Sequence, residues 1–330
     1  MSKRVCITGG CGFIGAYVVQ HFHDHSDAEI IVLDRLNYAS RGFDRLRGAG
    51  LLTPRVKVLA ADLSNPIPDG LAHEIGEVHA ILHLGAESHV TNSILNPEPF
   101  VRSNVLGTMN ILDFARRLAP NAVFLYFSTD EVFGPARDED SFGPWARYNS
   151  CNPYAATKAA GEELTLAYGN TYGIHVVVTH SMNCFGRRQH PEKFLPRCIG
   201  AILAGREVVI HTDASGRPPS RTWLHAANAA DAVAFLVDHA TPRSKWNITS
   251  PDELSVLDVA EGAAEILGKP LWIVKQPATD RPGNDARYAA DGSRLFAAGW
   301  KAPVPFEEGF RETVLWYAEH PEWMGVSHAN

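Results

Sequence analysis

The first 180 residues carry six short runs that are apolar nearly throughout instead of at alternate positions: RVCIT (4–8), EIIVLD (29–34), RVKVLAAD (55–62), VHAILHL (78–84), AVFLYFS (122–128) and IHVVVTH (174–180). Continuous apolar runs suit strands buried on both faces. Between them lie helical patterns, notably 13–26, 98–119 and 153–172. Strands alternating with helices predict a Rossmann-type α/β fold, a doubly wound parallel sheet covered on both sides. After residue 181 the pattern changes. Prolines and short segments become common, and helices over 192–204, 226–240, 255–267 and 305–319 mix with short strands near 207–211 and 271–275. We expect one domain over 1–180, with 225–240 packing back on it, and a smaller mixed α/β domain over 181–330. The chain shows no internal repeat.

Composition narrows the function classes. The 330 residues are 45% hydrophobic and 20% charged, ordinary for a globular protein and too many for one small core. A net charge of −7 gives no general attraction for nucleic acid or an anionic membrane, so an anionic ligand needs a local site. No apolar stretch approaches the roughly 20 residues that span a bilayer, and the opening MSKRVCITGG does not read as a secretion signal. Cys6, Cys11, Cys151, Cys184 and Cys198 are scattered, without a CxxC pair. Reduced thiols in a cytoplasmic compartment are expected, and no metal site.

The first chemical signal is VCITGGCGFIGAYVV. Gly9, Gly12 and Gly15 fall between the first strand and the first helix, with Phe13 and Ile14 opening that helix. Glycines here allow a tight turn and close approach of a pyrophosphate, which faces the free amides and positive end of the helix. Asp34 follows at the end of the second strand, where a carboxylate binds a ribose diol and repels a 2′-phosphate. NAD is therefore the expected cofactor, although Arg35 beside it leaves NADP open. Asp62, followed by Leu63, ends the third strand; it either meets the adenine edge or caps the next turn.

The second signal is NPYAATKAAGEEL, which sets Tyr154 and Lys158 four residues apart on one helix face. An ammonium alongside a phenol stabilises the phenolate, and the phenolate can take a proton from a sugar hydroxyl as hydride leaves the carbon. Thr129 ends the fifth strand, and Asp130 and Glu131 follow it in FSTDEVFG. Two adjacent carboxyls disfavour double ionisation, which suits an acid and a base side by side; a simple helix-capping pair is the alternative.

These stretches, with LGAESHVTNSI, SNVLGTMNILDFAR, GRRQHPEKFLP, SRTWLH and RPGNDARYAAD, resemble in order the extended short-chain dehydrogenase/reductases, and among them the nucleotide-sugar 4,6-dehydratases acting on dTDP- or UDP-glucose. The resemblance implies a lyase cycle. Tyr154, aided by Thr129 and Lys158, oxidises C4; Glu131 takes the C5 proton and Asp130 protonates the departing C6 hydroxyl; hydride returns to C6. It further implies that His89, Ser93, Asn183, Arg221 and Arg287 meet a nucleotide-diphosphate-glucose substrate, and that the chain is a homodimer paired through helices 98–119 and 153–172. Val105, Met109, Leu112, Ala155 and Ala159 are candidates for that interface or for the core.

The chain departs from the family pattern in places. GRRQ replaces GPRQ, His180 stands where arginine is usual, Thr91 and Asn92 replace a charged pair, and Thr222 stands where an acid is frequent. Two rival readings remain: a UDP-sugar 4-epimerase or decarboxylase of the same fold, against which the Asp130–Glu131 pair argues, and a catalytically silent NAD-binding regulator, against which the Thr129, Tyr154 and Lys158 set argues.

Overall fold

A computed structural model describes residues 3–137, 139–213, 215–277 and 287–324. The strands are β1 (Arg4–Thr8), β2 (Glu29–Asp34), β3 (Val56–Ala60), β4 (Ala80–His83), β5 (Val123–Thr129), β6 (His175–Ser181), β7 (Asn183–Phe185), β8 (Val208–Thr212), β9 (Ser220–His225), β10 (Ser244–Ile248), β11 (Glu253–Ser255) and β12 (Ile273–Pro277). The longer helices are α1 (Phe13–His25), α2 (Gly107–Leu118), α3 (Pro153–Tyr172), α4 (Phe194–Leu203), α5 (Ala226–His239), α6 (Val256–Leu267) and α7 (Phe306–Glu319).

Seven strands form one sheet in the order β3-β2-β1-β4-β5-β6-β10. Every neighbouring pair is parallel. The order reverses between β1 and β4, and ligands of such sheets bind in the crevice beyond the strand ends at that reversal. Both faces are covered. One carries Val5, Ile7, Val32 and Leu125 against α1 and α5; the other carries Cys6, Ile31, Phe124 and Tyr126 against α2 and α3. Burying each such aliphatic side chain contributes about 1.5–3 kcal/mol, so apolar runs of this kind are stable only between two layers.

The seventh strand, β10, comes from beyond residue 181 and pairs with β6 from Ser244 opposite Val177 to Ile248 opposite Ser181. Helix α5, just before it, packs against α1. The remaining elements build a second cluster. β7 and β11 flank β9, β8 pairs with β12, and α4, α6 and α7 close on a core that includes Phe185, Ile199, Trp223 and Val314.

The expected helix over 98–119 is three pieces: a turn at Glu98–Phe100, a π-helical segment at Val101–Leu106, and α2. The wider winding turns Asn104 inward, where it donates to the Glu87 carbonyl and to Thr157 on α3 at 2.9 and 3.0 Å. Among the described residues no helix is long and apolar enough to cross a membrane, and no group of three or more His, Cys, Asp or Glu could hold a metal ion.

Candidate active site

A cleft of about 330 Å³ runs along the carboxyl ends of β1, β2, β4 and β5 and is roofed by the second cluster. Its floor is the glycine turn. Gly9 has φ +70°, and a Cβ there would lie 2.7 Å from the Gly85 Cα. A Cβ on Gly15 would lie 2.1 Å from the Gly9 carbonyl. Only glycine fits at either position. Gly12 precedes α1 without a side-chain cap, so the first amides of that helix are left for a ligand. Phe13 and Ile14 line the same end of the cleft.

Asp34 is fixed from both sides. Its carboxylate accepts from the Cys11 amide at 3.0 Å and the Leu36 amide at 2.8 Å. Burial raises its pKa while those amides and Arg45 pull it down. Arg35 is turned toward Glu87 in an ion pair, with Asn37 donating to the same carboxylate. Asp62 and Leu63 line the cleft further out; Asp62 also accepts from the Ser64 amide at 3.0 Å, so it closes a turn and faces the cleft at once.

At the opposite end, β5 delivers Thr129, Asp130 and Glu131 to one wall, and α3 delivers Tyr154 and Lys158. Thr129 donates to Asp130 at 3.2 Å, and it lines the cleft with Tyr154. Burial and the neighbouring Glu131 carboxylate push Asp130 up to about 7, against the pull of Arg221. A half-buried Glu131 accepts from Asn152 at 3.0 Å, and Asn152 also caps α3 by accepting from the Ala155 amide at 2.8 Å. The two carboxyls are therefore unlike: one holds its proton near neutrality, and the other is tied to an amide donor.

The Tyr154–Lys158 pair departs from the sequence-based expectation. Lys158 donates to the Phe127 carbonyl at 2.7 Å, and its Nζ lies 4.2 Å from the centre of the Tyr126 ring. Burial lowers Lys158 to about 7, with Glu162 acting in the opposite direction. Burial and Glu131 hold the Tyr154 hydroxyl well above its ordinary value. The protein alone therefore leaves Tyr154 as a phenol.

The expected substrate residues divide. Asn183 and Arg221 line the cleft, Arg221 lying over Tyr288 at 4.6 Å. Ser93 is fully buried and works inside the scaffold: it donates to the Val90 carbonyl at 2.7 Å and accepts from the Tyr154 amide at 3.2 Å. His89 caps the helix Val90–Leu95 and lies 3.8 Å from Glu192. Arg287 pairs with both oxygens of Glu253, at 2.7 and 2.9 Å, and donates to the Arg137 and Asp140 carbonyls. Its neighbours 281–286 in RPGNDARYAAD lie outside the described residues. Lys193, unassigned from sequence, lines the cleft, and burial lowers it against the attraction of Glu192 and Glu131. Its signal was its place in HPEKFLP. Asn152 was legible as the polar residue before Pro153 at a helix start. Of the interface candidates, Leu112, Ala155 and Ala159 are buried in the core, whereas Met109 faces outward.

A parallel sheet with a glycine turn at one end of its cleft and a Thr, Tyr and Lys set at the other defines an extended short-chain dehydrogenase/reductase. The family model described as GDP-mannose 4,6 dehydratase matches residues 6–313. The chain belongs to this family of nucleotide-sugar 4,6-dehydratases. It is 33% identical over 326 residues to the dTDP-glucose 4,6-dehydratase of Mycobacterium tuberculosis, covering 97% of this chain and 95% of that one. It is 32% identical over 326 residues to a trifunctional UDP-glucose 4,6-dehydratase of Arabidopsis thaliana, covering 98% of this chain but 48% of the relative, so it spans about half that protein's length. The crystal structure of DesIV, a dTDP-glucose 4,6-dehydratase from Streptomyces venezuelae with NAD and TYD bound, superposes with a TM-score of 0.86 at 31% identity, covering 98% of this chain and 99% of that one.

Proposed function

We propose that the chain is an NAD-dependent nucleotide-glucose 4,6-dehydratase, which converts dTDP- or UDP-glucose to the 4-keto-6-deoxy sugar nucleotide and water. The observation that carries this reading is the unlike pair at the end of β5: Asp130 held up to about 7 beside Glu131, which keeps an amide donor. An elimination needs just such a proton donor and proton acceptor, whereas a 4-epimerase needs neither.

NAD fits the cleft. The turn at Gly9 and Gly15 excludes side chains, α1 offers its amides, and Asp34 lines the cleft, where it would hold a ribose diol. Arg35 is engaged by Glu87, which favours NAD over NADP. Bound there, NAD⁺ would accept hydride from C4 of the sugar and later return it to C6. Tyr154 takes the C4 hydroxyl proton, with Thr129 lining the cleft beside it. Lowering the Tyr154 pKa falls to Lys158, together with the positive charge of the oxidised cofactor. The C4 ketone acidifies C5–H, which Glu131 removes, and Asp130 protonates the departing C6 hydroxyl. Arg221 and Lys193 are the cations we assign to the substrate diphosphate.

On this reading residues 1–180 with the 226–248 excursion hold the cofactor, and the rest of 181–330 holds the nucleotide sugar. The enzyme is a cytoplasmic homodimer, paired through the outward face that carries Val101, Leu106 and Met109. Incubation with dTDP-, UDP-, GDP- and CDP-glucose, followed by product mass spectrometry, tests the proposal. Loss of one water from a nucleotide-glucose supports it. An isomer of unchanged mass identifies an epimerase, and no turnover of any sugar revives the silent regulator.

A further inference from the structure

One turn beyond Lys158 on α3, Glu162 is fully buried beneath the site. It collects donors from four separate segments. Ser128, the residue before Thr129 on β5, donates to one oxygen at 2.5 Å. The other oxygen accepts from Tyr148 at 2.8 Å, His180 on β6 at 3.0 Å and Lys245 on β10 at 3.0 Å. Lys245 also donates to Tyr148 at 2.5 Å.

His180 is fixed by its other neighbour. Asn247 gives both hydrogens of its amide nitrogen to the Phe142 and Asp291 carbonyls, at 2.8 and 2.9 Å, so its oxygen faces His180 Nδ1 at 2.9 Å. An amide oxygen thus stands at Nδ1 and a carboxylate at Nε2 of the His180 ring. His180 and Lys245 together thus face the carboxylate at the position where the family pattern has one arginine.

The geometry points to Glu162 as a positioning residue for the Tyr154–Lys158 centre: it locks the end of β5 to the helix that carries both residues, and it sets a negative charge against Lys158. This rests on the reading of Tyr154 and Lys158 as the C4 oxidation centre. The groups facing Lys158 are Glu162 on its own helix, the Tyr126 ring and Phe127 carbonyl on β5, and His83 on β4, a ring that burial and Lys158 together drive down to about 3. Glu162 is the anion among them. An ordinary buried ion pair would need Glu162 only to neutralise Lys245. Ser128 and the spacing to Lys158 give it a second task.

The test removes the buried carboxylate charge together with the lysine that faces it, while a glutamine keeps an acceptor oxygen for Ser128 and Tyr148. Lys245→Met is compared with Glu162→Gln/Lys245→Met, both as the NAD-loaded enzyme, with wild type and Tyr154→Phe alongside. Nitrogen NMR of the Lys158 Nζ follows its titration without substrate, and single-turnover appearance of NADH absorbance with dTDP- or UDP-glucose follows C4 oxidation. We expect Lys158 to titrate at lower pH in the double variant than in Lys245→Met. We also expect C4 oxidation to slow by at least about tenfold at little-changed KM, short of the about 10²–10⁴-fold that a direct acid or base contributes. A Lys158 titration that does not move overturns the inference whatever the rate. If wild type forms no NADH with either sugar nucleotide while the Lys158 titration still shifts, the dehydratase reading fails and the role of Glu162 toward Lys158 stands.

Discussion

Asp130 and Glu131 are neighbours in sequence, yet the fold makes them chemically different. Asp130, pushed up to about 7 by burial and by Glu131, is protonated below that pH and loses its proton above it. The elimination step needs the protonated form, so its rate should fall as pH rises through about 7. Asp130→Asn should be slower and lack that inflection. Rapid-quench measurement of water loss from pre-formed 4-keto-glucose checks both, and an unchanged inflection in the variant would assign it elsewhere. Glu131→Gln separates the second role. It should still reduce NAD⁺ with substrate but exchange C5 hydrogen with D₂O about 10²–10⁴-fold more slowly. Exchange at the wild-type rate would show that Glu131 is not the base.

Helix α3 holds Tyr154 and Lys158 only because its start is fixed, and Asn152 does this while also holding Glu131. Asn152→Ala should cost about 0.5–2 kcal/mol of stability for the lost cap, read from urea unfolding, and should also slow C5 exchange. Loss of stability with normal exchange would confine Asn152 to capping. At this scale the sequence was uneven. The six expected strands exist because each is a run of residues buried on both faces. β10 was missed because SKWNI reads as polar, and its Lys245 is buried only by virtue of Glu162, 83 residues away. The π-helical segment was hidden inside a continuous helical pattern. The site followed the same rule. Residues in one contiguous motif at a strand end or on one helix face were legible. The pairing of Arg287 with Glu253 was not, since it depends on a contact across 34 residues.

At the scale of the whole molecule, Val101, Leu106 and Met109 are between 37% and 45% exposed, an apolar set on the helical face beside α3. If this face pairs two copies, Leu106→Glu/Met109→Glu should shift sedimentation from dimer to monomer while the bound NAD is retained. A wild type that sediments as a monomer would refute the assignment.

The return of the chain from the second cluster to lay down β10 has a consequence for recombination. A relative's second cluster cannot be exchanged by a single crossover after residue 181, because the transplant would carry away the strand that covers β6 and the lysine that faces Glu162. An uncovered β6 is a sticky edge. A chimaera that replaces 181–330 outright should be insoluble or lose its nucleotide. One that replaces 181–225 and 249–330 but keeps the native 226–248 should fold and retain NAD. Specificity in this architecture is therefore transferable in two blocks with a native suture between them.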